Sequence, residues 1–145
     1  MRKRFCVIGA AAALCGLVGP ASAADISVSA AWFRSMPSGQ PAGGYFMMTN
    51  KGRNPVALVA AESPACEMLM LHRTVSGNGT SRMDDVNSVD LSVGKTVSFA
   101  PGGYHLMCMS PSTIMMPGQF VPVTFVFSDG KRLRTNFAVR NAAGN

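Results

Sequence analysis

The sequence predicts an all-β domain, an antiparallel sandwich or barrel. Three observations carry that reading. Apolar or alternating runs recur at roughly eight- to twelve-residue spacing. Gly-, Pro-, Asn- and Ser-containing breaks separate them, and no segment carries a convincing amphipathic helix.

The elements follow in order. "DISVSAAWF" (25–33) opens with apolar–polar alternation, as a half-buried strand does. "GYFMMTN" (44–50) is a second strand, closed by the turn Asn50-Lys51-Gly52. "PVALVAAE" (55–62) is a third, broken by Ser63-Pro64, and "CEMLMLHRTV" (66–75) is a fourth. "SGNGT" (76–80) is a hairpin signal, because Gly and Asn tolerate positive φ. Short strands are expected around 82–83, 88–91 and 96–99, and "PGGYHLMCM" turns through its glycines into another. "PSTIMMPG" (111–118), bracketed by prolines, has room for one helical turn at most. "FVPVTFVF" (120–127), the turn Ser128-Asp129-Gly130 and "RLRTNFAV" (132–139) form a last hairpin.

The first residues read as an export signal rather than as part of this fold. Arg2, Lys3 and Arg4 form a basic start, an apolar stretch covers about 7–18, and Ala21-Ser22-Ala23 fits a small-x-small cleavage site. A cleaved segment 1–23 would leave a single domain, 24–145, in the periplasm, with no transmembrane segment in the mature chain. A lipoprotein reading through Cys15 is weaker, since Leu14 precedes it directly. The leader holds three of the 13 Lys and Arg; the remaining ten, against seven acids, leave a charge of +3. With no basic run and no aromatic–basic interleaving, nucleic-acid binding is not expected.

Of the four cysteines, only Cys66 and Cys108 lie beyond the leader. Two cysteines often pair in an oxidising compartment. Cys108, however, reads as a small buried hydrophobe, and its pairing is open at this point. Ten methionines remain beside just two histidines, and both histidines sit in strands among methionines. By the two-residue period, Met68, Met70 and His72 share one face and Leu69 and Leu71 the other. Likewise His105, Met107 and Met109 share a face opposite Leu106 and Cys108.

This donor set selects a soft metal. A thioether is a poor ligand for Zn²⁺, Ca²⁺ or Mg²⁺ but suits Cu(I), and imidazole adds affinity. Such a site would hold Cu(I) without thiolates that oxidation could consume.

The spacing H-x10-M-x21-H-x-M, formed by His72, Met83, His105 and Met107, resembles the PCu(A)C family of periplasmic copper chaperones. The resemblance runs from about 26 to 139. It includes Ala31-Trp32 with Arg34, "GYFMMTN" with Lys51-Gly52, Leu71-His72 with Thr74-Val75, and "PGGYHLM" (101–107). It implies a cupredoxin-like antiparallel β-sandwich or Greek-key barrel, with His72, Met83, His105 and Met107 as Cu(I) ligands. It further implies a monomeric carrier that delivers copper to the CuA centre of cytochrome c oxidase subunit II, with a Sco-type thiol protein as a further partner. Cys66 and Cys108 are not ligands of the family pattern, and "RNAAGN" is not the His/Met-rich tail that some members carry.

Other candidates weigh less. Met68, Met70 and Met109 read as a hydrophobic apron around the site, with one available as a transient hand-off ligand. Met47, Met48, Met115 and Met116 read as packing, and Trp32 as a core or cleft-edge aromatic. Asp84-Asp85 reads as hydrophilic loop, and no G-x-S-x-G elbow appears, so an enzyme is not expected. Two rivals remain: a blue-copper electron carrier, which needs a cysteine thiolate, and a periplasmic copper buffer, which would share the site.

Overall fold

The computed structural model describes residues 25–145. The expected signal segment, with Cys6 and Cys15, lies outside them. Ten strands form one continuous hydrogen-bonded sheet: β1 (Ile26–Arg34), β2 (Ala42–Asn50), β3 (Val56–Glu62), β4 (Cys66–Gly77), β5 (Thr80–Asp85), β6 (Val89–Leu91), β7 (Thr96–Phe99), β8 (Tyr104–Pro111), β9 (Phe120–Phe127) and β10 (Arg132–Arg140). Their order is β5-β4-β8-β7-β2-β1-β10-β9-β3-β6, with β8 also pairing β2. The sheet wraps a single core to which nearly every strand contributes. This is the all-β architecture that the sequence predicts. Among the described residues no helix is long and apolar enough to cross a membrane.

The antiparallel expectation holds for most neighbours and fails at two. β1 pairs β10 in parallel, and β7 meets β8 in parallel at Phe99 and Tyr104. Such contacts join segments far apart in the chain, which local patterning does not encode. After β8 ends at Pro111, the segment turns at 113–114 and 117–118 and forms no helix. There Met115 is buried and its amide donates to the Ser112 carbonyl at 3.0 Å.

Local chemistry explains most of the rest. The β4–β5 hairpin turns through Asn78 and Gly79, with φ of 51° and 75°, so both central residues use the left-handed region that suits this turn. Buried Asn50 closes the β2–β3 corner. Its amide donates to the carbonyls of Asn54 and Leu91, and its Oδ1 accepts from the Gly52 amide. β1 changes register between Ser29 and Trp32, around Ala30 at φ +50°. That bulge lets Ile26 and Val28, then Ala31 and Phe33, all face the core. Trp32 is left outside, packed on Tyr45 at 4.9 Å, with the Arg140 guanidinium 4.6 Å from its ring centre.

Phe46 anchors the core, stacked on Phe99 at 4.2 Å and packed against Phe125 and Phe137. Met48 and Met115 are buried there, as a packing role requires. Met47 and Met116 are not: both are exposed, which corrects their reading as core fillers. Met47 lies on the outer face of β2, and Met116 follows the turn that buries its neighbour.

The cysteines also depart from expectation. Cys108 does face the core and is fully buried, but it is bonded to Cys66 as a disulfide. In the β4–β8 ladder Cys108 lies opposite Leu69, and Cys66 opposite Pro111. The chain bends at Ser110, where φ is +47°, and the two cysteine Cα atoms stand 5.3 Å apart, within disulfide range.

Candidate metal centre

Strands β5, β4 and β8 lie side by side and carry all four candidate ligands. The β4–β8 register sets His72 directly opposite His105, Met70 opposite Met107 and Met68 opposite Met109. Directly opposed side chains in an antiparallel pair share a face. The alternation therefore delivers a ladder of one imidazole pair and two thioether pairs on the side away from the Leu71, Leu106 and Cys108 core. The disulfide clamps the same two strands from the core side.

The two imidazoles are close and unpaired with each other. Their ring centres are 5.7 Å apart and the planes meet at 76°. His105 is 4% exposed and His72, by its side chain, 12%. His105 Nδ1 lies 3.0 Å from the Gly103 carbonyl oxygen. A carbonyl can only accept, so Nδ1 carries the proton and Nε2 presents its lone pair. That Nε2 is buried without a hydrogen-bond partner among the described residues, as are both ring nitrogens of His72. His72 Nε2 does approach Asp85 Oδ1 to 2.9 Å, but not along a hydrogen-bond direction. A buried imidazole nitrogen without a hydrogen bond, as at His105 Nε2, is costly unless something occupies it.

Asp85 was missed by the loop reading of Asp84-Asp85. Both residues belong to β5, and Asp85 pairs across the hairpin with His72. The available signal was its position two residues after Met83, which puts it on Met83's face. A carboxylate there can orient the imidazole and hold one of its protons. Asp84 points the other way and accepts from Arg82 Nε at 2.8 Å; that hydrogen bond keeps its carboxyl below the usual range.

The four candidates are not equally gathered. His72, His105 and Met107 sit on adjacent positions of β4 and β8. Met107 also lies opposite Gly43 of β2. There Tyr45 leans over the glycine: a Cβ on Gly43 would come within 2.7 Å of the Tyr45 hydroxyl. Met83 shares the face but lies opposite Thr74, one step beyond His72 on the hairpin, and is 59% exposed. It occupies the corner diagonal to Met107. Only the coiling of the β4–β5 ribbon can carry it over the imidazoles, and two-stranded ribbons coil most.

The donor chemistry is restrictive. Among the described residues no group of three His, Cys, Asp or Glu side chains is placed to hold a metal. The soft donors beside the histidine pair are thioethers, which suit a soft monovalent ion better than Zn²⁺ or Ca²⁺.

A family profile described as "Putative lipoprotein LpqE-like" matches residues 26–139. The chain belongs to the LpqE-like family. A relative from Leifsonia xyli, "Putative lipoprotein Lxx21020", is 36% identical over 92% of this chain and 88% of its own. Relatives so named point to an exported protein. Among solved structures, the Cu(I) form of DR1885 from Deinococcus radiodurans is 27% identical, with a TM-score of 0.62 over 76% of this chain and 74% of that one. The copper-bound PCuAC domain of PmoF2 is 20% identical, with a TM-score of 0.67 over 81% and 93%, and shows the shared fold. This LpqE-like chain thus has the PCuAC fold.

Proposed function

We propose that the protein is a periplasmic copper chaperone. It binds one Cu(I) through His72, Met83, His105 and Met107 and hands it to an extracytoplasmic acceptor, foremost the CuA centre of cytochrome c oxidase subunit II. The observation that carries this reading is the directly opposed imidazole pair, with His105 Nε2 free of a hydrogen bond among the described residues, on a face lined with thioethers. Similarity to a structure solved with Cu(I) supports the metal.

The chemistry suits a carrier rather than an enzyme. Two imidazoles and two thioethers are neutral, so the bound ion keeps its single positive charge. Thioethers neither titrate nor grip like thiolates, and acceptor ligands can replace them one at a time. Exposed Met83 is the natural first ligand to leave. A blue-copper electron carrier needs a thiolate. Both cysteines among the described residues are joined behind the sheet, on its core side.

Transfer tests the proposal. Protein loaded with one Cu(I) is mixed with the copper-free CuA domain of subunit II, separated, and each fraction assayed for copper. The ion is expected in the acceptor fraction. Copper that stays behind would favour a storage role instead.

A further inference from the structure

The histidine pair does not exhaust the soft donors on this face. Beyond it, toward the start of β4, Met70 opposes Met107 and Met68 opposes Met109. Met68 is 55% exposed, and Met70 and Met109 are half-buried. These methionines point away from the core, although the core-facing positions of the same strands are filled by Leu69, Leu71, Leu106 and Cys108. Packing therefore does not account for them. Polar side chains would ordinarily occupy such a solvent-facing stripe.

We infer that Met68, Met70 and Met109 form a second, all-thioether station for a soft monovalent cation, Cu(I) or Ag(I), next to the histidine-containing site. Opposed Cβ atoms stand about 5 Å apart across the pair, and residues two apart along a strand about 7 Å. The middle of that rectangle is about 4.3 Å from each Cβ, and a point above it about 5 Å. A methionine sulfur two bonds beyond its Cβ, plus a metal–sulfur bond no shorter than the about 2.3 Å of a zinc–thiolate bond, spans that distance. Three neutral sulfurs match the low coordination number and softness of a monovalent coinage ion, and they exclude Zn²⁺, Ca²⁺ and Mg²⁺. Asp85 lies opposite His72, beyond the methionine rows, and Glu67 takes the alternate strand position beside Met68, so no carboxylate occupies the ladder positions of the station. The inference stands apart from the His72, Met83, His105 and Met107 set, since it uses none of those residues.

Ag(I), which does not change oxidation state, is the probe. The protein is labelled with ¹³C in its methionine methyl groups and titrated with Ag(I) while the methyl resonances are followed. Two equivalents are expected to bind, and the Met68, Met70 and Met109 methyls should move with the second. A variant carrying Met68→Leu, Met70→Leu and Met109→Leu, near-isosteric at positions outside the core, should bind one equivalent and keep the Met83 and Met107 shifts. The inference is overturned if the Met68, Met70 and Met109 methyls stay unmoved up to saturation, or move only together with Met83 and Met107 at a single equivalent; one equivalent that moves only these three would instead count against the histidine-containing site. It is equally overturned if the triple variant still takes two. A stripe used only for apolar docking would give the first of those results.

Discussion

The Cys66–Cys108 bond offers the prediction with the clearest magnitude. The perturbation is the double replacement Cys66→Ala and Cys108→Ala. The bond closes a chain segment with a sequence separation of 42. On the chain-entropy account, opening a loop of that size releases the denatured ensemble by about 4 kcal/mol at 25 °C. For a domain of this size a urea slope of about 1.5 kcal/mol per molar turns that loss into a midpoint about 2.5 M lower. The slope itself should rise slightly, because the unlinked denatured chain is more expanded. Equilibrium urea unfolding, followed by the fluorescence of the single Trp32 and by circular dichroism, measures both quantities. A loss below about 1 kcal/mol would refute the argument that the bond acts by restricting the unfolded chain. The same variant makes a second statement in the absence of urea. Its folded fraction should bind Cu(I) as the parent does, since both sulfurs lie on the core side of β4 and β8. Loss of Cu(I) binding by the folded variant would mean that a cysteine sulfur takes part in the site.

Further outcomes follow from the same geometry. Met83→Ile removes a sulfur from a solvent-exposed position, so Cu(I) affinity should fall in a chelator competition while the unfolding free energy stays within about 0.5 kcal/mol of the parent. Gly44→Ala should destabilise by about 1–3 kcal/mol in urea unfolding, because a Cβ there would meet Phe33 Cε1 at 2.6 Å and Leu106 Cβ at 3.0 Å. Copper retention should decrease as pH falls from about 7.5 to about 5, since protons compete for the imidazole lone pairs that a metal needs. Equilibrium dialysis against a fixed chelator reads that slope, and a flat profile would argue against histidine ligation.

Much of the fold was legible because strands and turns announce themselves locally. Asn78-Gly79 and Asn50-Lys51-Gly52 mark turns by their own backbone chemistry, and the strand between such signals alternates visibly. The same two-residue period put His72 with Met68 and Met70, and His105 with Met107 and Met109. What alternation could not supply was register. That His72 faces His105 directly, that Cys66 reaches Cys108, and that Asp85 comes alongside His72 are all consequences of how strands slide past one another. The parallel contacts of β1 with β10 and β7 with β8 were hidden for the same reason. Met47 and Met116 show the opposite limit: adjacent methionines look alike in sequence, but alternation or a turn sends one into the core and its neighbour to solvent.

Everything functional rests on two nitrogens and two sulfurs around one ion, which X-ray absorption at the copper edge reads directly. For protein loaded with one equivalent of Cu(I), the account predicts a first shell of two imidazole nitrogens and two thioether sulfurs. A shell of sulfur alone, or of nitrogen and oxygen without sulfur, would contradict it.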